Sequence, residues 1–178
     1  MPSFWIKLRA FGMALEHFNR KIGLAVAWLT LIMVLTLFVV VVLRYGFNYG
    51  SIALQESVSF MHAAVFLLGA AYTLDDNAHV RVDIFYQRGS VRAKAWVDCL
   101  GTLLLLWPVA LFIFFSSLDY VQEAWRIQES SSNPGGLPGI YLLKTLLLIF
   151  PVQLLIQSLG SLCARLPSLL TTKPTQPD

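Results

Sequence analysis

The sequence predicts an all-α integral membrane protein with four transmembrane helices, preceded by an amphipathic helix lying at the membrane interface. Three observations carry that fold class. Of the 178 residues, 57% are hydrophobic and only 13% charged, about half the charge with which a soluble domain covers its surface. The mean hydropathy is +0.67, far too apolar for a disordered chain. Finally, the apolar residues gather into four runs of near-membrane length separated by polar connections, so lipid replaces water around most of the surface.

The first element is an N-terminal stretch over 3–20 in which Phe4, Leu8, Phe11, Leu15 and Phe18 recur at helical spacing. With Trp5 and flanking Lys and Arg residues, this pattern fits a helix on the membrane surface. The first span, about 22–43, has no charge and at 1.5 Å per residue covers roughly 33 Å, enough for the hydrocarbon core. It is too long for a signal sequence and is not followed by a small-residue cleavage site. The remaining spans cover about 52–74, 95–118 and 140–164, and 165–178 forms a tail in a single membrane domain. Pro108 and Pro151 fall inside the third and fourth spans, where membrane helices tolerate proline and where kinks are expected.

Charge placement orients the bundle. Lys7, Arg9, Arg20, Lys21, Arg81, Arg88, Arg92, Lys94, Arg165 and Lys173 fall on one side; of the thirteen basic residues only Arg44, Arg126 and Lys144 fall on the other. The excess places both termini and the middle loop in the cytoplasm.

Composition and spacing exclude several kinds of chemistry. The net charge of +3 is dispersed between apolar runs, which does not make a nucleic-acid surface. Cys99 and Cys163 lack the spacing of a metal site and read as small packing residues. His62 is the only histidine within a span, so a bis-histidine haem has no second ligand in this chain. No nucleophile and base stand at a catalytic spacing, and no catalytic, cofactor or metal residue is assigned. The ionisable residues nearest the spans, Glu56, Asp98 and Lys144, sit near helix ends. Asp98 follows Lys94 by one helical turn and is placed to pair with it, while Lys144 is placed to snorkel to the headgroups. All three are candidates for subunit contact or interfacial anchoring.

The connections carry more information. After the second span, polar and apolar residues alternate through His79-Val80-Arg81-Val82-Asp83, a pattern that presents His79, Arg81 and Asp83 to a fixed surface. Between the third and fourth spans, Asn133, Pro134, Gly135 and Gly136 lie in a dense cluster of turn formers. Just before it, 119–128 keeps helix-forming residues, so the third helix extends about two turns past its apolar run.

From about Arg20 to Arg165 the sequence resembles the DctQ-type small membrane subunit of tripartite ATP-independent periplasmic (TRAP) transporters. The resemblance is carried by Leu54-Gln55-Glu56, Leu68-Gly69-Ala70-Ala71, His79-Val80-Arg81-Val82-Asp83, Asn133-Pro134-Gly135-Gly136-Leu137-Pro138 and Tyr141-Leu142-Leu143-Lys144, in that order. It departs from the common pattern where basic residues are often found, reading Glu56-Ser57-Val58-Ser59 and Leu74-Asp75-Asp76-Asn77. The resemblance implies a bacterial inner-membrane subunit that is not an enzyme and holds no cofactor. Its implied partners are a large multi-span membrane subunit, which uses a sodium gradient, and a periplasmic protein that delivers an organic acid. The small subunit is expected to support the large one, and the 133–136 turn to shape the periplasmic surface. Two other readings of four apolar helices are a self-sufficient oligomeric transporter and a membrane redox or cytochrome subunit.

Overall fold

The computed structural model describes residues 2–75 and 91–170. These residues form helices joined by short connections: α1 (Pro2–Gly46), α2 (Ile52–Asp75), α3 (Val91–Gly101), α4 (Trp107–Arg126) and α5 (Ile140–Leu170). Five residues of π-helix, Thr102–Leu106, join α3 to α4, so these three segments make one crossing. Among the described residues, four helical stretches are long and apolar enough to span a membrane. All four predicted spans are therefore present, the third and fourth extending beyond their apolar runs.

Residues 3–20 are helical but are not a separate element. They continue without a break into the first span, giving a 45-residue helix of about 68 Å, more than twice the hydrocarbon thickness. Phe11 and Phe18 of the expected apolar stripe remain exposed, while Gly12, Asn19 and Val26, spaced by seven, face the bundle. The inward face is chosen by size as much as by hydropathy. A Cβ on Gly160 would come within 3.1 Å of the Gly12 carbonyl oxygen, and one on Gly23 within 2.7 Å of the Tyr72 ring. Small residues at such crossings let helix backbones approach closely.

Helix α5 is the hub: it packs against α1, α2 and α4, while α1 and α2 also pack on each other. Its inward face is unexpectedly polar, with Gln153, Gln157 and Ser158 buried. The Asn19 amide donates to Gln157 Oε1 at 2.9 Å, and Trp107 Nε1 donates to Ser158 Oγ at 3.1 Å. These bonds tie α1 and α4 to the central helix.

The two spanning prolines behave differently. Pro108 opens α4 just after the π-helical segment, where the Trp107 amide reaches back to the Thr102 carbonyl. The wider turn accommodates a ring that in regular helix would press on the carbonyl four residues earlier. Pro151 is buried within an uninterrupted α5.

Candidate functional site

The connection between α4 and α5 is a built structure. Helix α4 ends in a Schellman motif: the Glu129 amide donates to the Ala124 carbonyl at 2.9 Å and the Gln128 amide to the Trp125 carbonyl at 3.3 Å. Gln128 occupies the left-handed position, with φ of 50°, a place more often held by glycine. The chain then runs out and back as a small hairpin, with an antiparallel bridge between Ser130 and Pro138. The Ser131 amide donates to the Leu137 carbonyl at 3.1 Å.

The tip is the turn that its residues dictate. Gly136 N–H donates to the Asn133 carbonyl at 2.9 Å, and Gly135 has φ of 77°. Proline in the second position and a positive-φ glycine in the third define a type II turn. Pro134 and Gly135 are exposed at the tip.

Glu56 holds this hairpin to α2. Ser51 opens α2 by accepting the Leu54 amide on its hydroxyl, an N-cap, and Glu56 follows in the first turns. Its Oε1 accepts from the Ser131 hydroxyl and, at 3.0 Å, from Asn133 Nδ2; its Oε2 accepts from the Leu137 amide at 2.7 Å. Three donors from one loop therefore converge on a single carboxylate. A Cβ on Gly136 would lie 2.7 Å from Glu56 Oε2 and would also collide with Ser131, so this position requires glycine for space.

A second group fastens the start of the hairpin. Lys144, in the first turns of α5, donates to Glu129 and sits 3.8 Å from the centre of the Tyr120 ring. Its side chain is only 13% exposed; instead of snorkelling outward, the ammonium is enclosed between a carboxylate and an aromatic face. Beside it Trp125 packs edge-on against Tyr141 at 4.7 Å and donates to the Thr145 hydroxyl at 2.9 Å. Glu123 and Arg126 form an exposed pair on the outer side of α4.

Of the residues singled out from sequence, Glu56, Asn133, Gly136 and Lys144 are thus brought to one end of the bundle. Pro134 and Gly135 shape the same hairpin. Asp98 is not part of this network; it lies half-buried on α3, where its backbone carbonyl accepts from Thr102. His79, Arg81 and Asp83 lie outside the described residues. Sequence reasoning missed Glu129, Ser131 and Tyr120, whose roles depend on contacts across the hairpin. It also missed Asn19, Gln153 and Gln157; for the two glutamines the signal available was the presence of amides inside an otherwise apolar helical run.

Among the described residues no group of three or more His, Cys, Asp or Glu side chains is placed to hold a metal ion, and Cys99 and Cys163 are free thiols. The arrangement offers a hairpin of fixed shape on a lipid-embedded bundle, with its charges committed to holding that shape. A family model for the DctQ component of tripartite ATP-independent periplasmic transporters matches residues 33–167. The chain belongs to this family. No curated protein and no solved structure gives a match. The matched region of this DctQ component includes Glu56, the entire hairpin and Lys144. The first 32 residues, with Gly12 and Asn19, precede it. Membership makes the chain the small membrane component of a three-part transporter.

Proposed function

We propose that this DctQ component packs against the large membrane subunit as part of its static support, and that the complex drives sodium-coupled uptake of an organic acid delivered by a periplasmic binding protein. The observation that carries this reading is the hairpin locked to α2 through Glu56. A docking platform for a soluble protein must keep its shape while a neighbouring subunit moves, and three donors on one carboxylate at the hairpin base restrict its motion. The basic residues favour both termini in the cytoplasm of an inner-membrane protein, which turns the hairpin toward the periplasm. Support is also the role left to a chain with little polar machinery along its spans: a carboxylate and sodium site is normally built from broken helices near the membrane midplane.

The test is deletion of this chain in cells that retain the large subunit and the binding protein. Uptake of the transported acid under an imposed sodium gradient is expected to be abolished or strongly reduced, and restored by the intact chain. Undiminished sodium-dependent uptake overturns the assignment.

A further inference from the structure

The outward faces of the helices are not equivalent. On α1 the exposed residues include Trp28, Leu31, Leu35 and Phe38, and on the third crossing Leu104, Leu105, Val109 and Phe112. Acyl chains solvate such faces well. Helix α2 lies in the least hydrophobic of the four spans, and its exposed residues Gln55, Ser59, His62, Phe66 and Thr73 fall at helical spacing along one side.

His62 stands near the midpoint of the 52–73 span. Its ring stacks against Phe66 one turn away, and among the described residues its ring nitrogens make no hydrogen bond. An imidazole at this depth cannot reach the headgroups, roughly 15 Å away in either direction, and lipid tails offer neither donor nor acceptor. Polar side chains on a spanning helix normally face protein or a water-filled cavity. Beside His62 runs a groove of about 360 Å³ between α1 and α2, lined by Met33, Val34, Leu37, Val58, Ser59 and His62. Its lining is apolar except for that serine and histidine on one wall. That combination matches a neighbouring helix with an apolar surface and one polar group, rather than an acyl chain.

We propose that this face of α2, with the adjoining groove, receives a transmembrane helix of the large membrane subunit that presents a hydrogen-bonding side chain at the depth of His62. The inference rests on the reading of this chain as the support subunit of a larger permease. It assigns the contact to α2 and leaves the outward faces of α1 and α4 to lipid. A second copy of this chain would set His62 against its own symmetry mate and is the competing occupant.

The experiment uses the full chain co-expressed with the large subunit, with a photoreactive residue placed at Phe66 or at Phe112, which are equally exposed at 72% on α2 and α4. Irradiation in membranes is expected to join position 66 to the large subunit and position 112 to lipid alone. Separately, His62→Leu should lower the large subunit retained on purification about threefold, the worth of one interhelical hydrogen bond, while His62→Gln retains it. Adducts from 66 to a second copy or to lipid only, an adduct to the large subunit from 112 instead, or unchanged retention in His62→Leu each overturn the inference. Retention by the unaltered chain separates the two readings. If no large membrane subunit is retained, the support role itself fails; if one is retained but position 66 does not reach it, only the α2 assignment falls.

Discussion

The two ends of the bundle are held by different chemistry. At the hairpin end the fastenings are ionic: Glu56 gathers three donors, and Lys144 lies between Glu129 and Tyr120. Toward the other end they are neutral: Asn19 bonds Gln157 and Trp107 bonds Ser158, inside the helix contacts. Full charges are affordable where water is near and helices end, whereas an interhelical contact in lipid is made with amides, hydroxyls and glycine at lower desolvation cost. The ionic end therefore shapes a loop, and the neutral end sets how the helices pack.

Mutations should separate the two. The largest effect is expected from Glu56→Ala, which leaves Ser131, Asn133 and the Leu137 amide without their shared acceptor. Amide hydrogen exchange across 130–137 should accelerate about a hundredfold, with exchange in α1 and α5 unchanged. If the hairpin stays protected, the carboxylate is not what holds it. Gln157→Leu should do the reverse. It leaves the buried Asn19 amide with only the more distant Gln153 carbonyl, at 3.4 Å, as acceptor and is expected to cost about 2 kcal/mol, read as a lower unfolding midpoint in detergent, with hairpin exchange unaltered. The double variant Asn19→Leu/Gln157→Leu should recover part of that loss, since neither member of this hydrogen bond is then left facing an apolar partner; no recovery would mean that the pair is not coupled.

Smaller effects test the close approaches. Gly160→Ala must push its new methyl against the Gly12 carbonyl oxygen, 3.1 Å away, and against Glu16 and Leu15. A loss of about 1 kcal/mol is expected, together with a weaker crosslink between cysteines introduced on α1 and α5. The smallest effect is expected from Lys144→Met, which keeps a long apolar side chain and removes the ammonium that meets Glu129 and lies over the Tyr120 ring. Exchange should rise about threefold at Glu129 and Ser130; a collapse of the entire hairpin would make Lys144, rather than Glu56, its main support.

Much of this was legible because membrane folding imposes strong local rules. The four spans follow from apolar length alone, as a backbone in lipid must satisfy its own hydrogen bonds. The Asn133–Gly136 turn is similarly local: proline and glycine fix the type of turn whatever surrounds them. Glu56 could be singled out as an ionisable group at a helix end, but its partners could not, since Ser131, Asn133 and Leu137 lie more than seventy positions away. The N-terminal stretch shows the opposite bias. Its phenylalanines form an evident stripe, yet Gly12 and Asn19 face α5, because closeness of approach and hydrogen bonding replace water exclusion as the organising forces between helices in lipid.

The sequence by itself determined that this is a four-span membrane protein, which side carries its positive charge, where its loops turn and which transporter family it resembles. Those properties reside in runs and short motifs, each set by the exchange between lipid and water or by backbone sterics. Only the tertiary structure decided that α5 is the central helix, that Glu56 clasps the hairpin, and that Ser59 and His62 face outward from α2. These depend on which side of each helix meets which neighbour, and in a chain apolar all round, hydropathy alone does not distinguish one side from another.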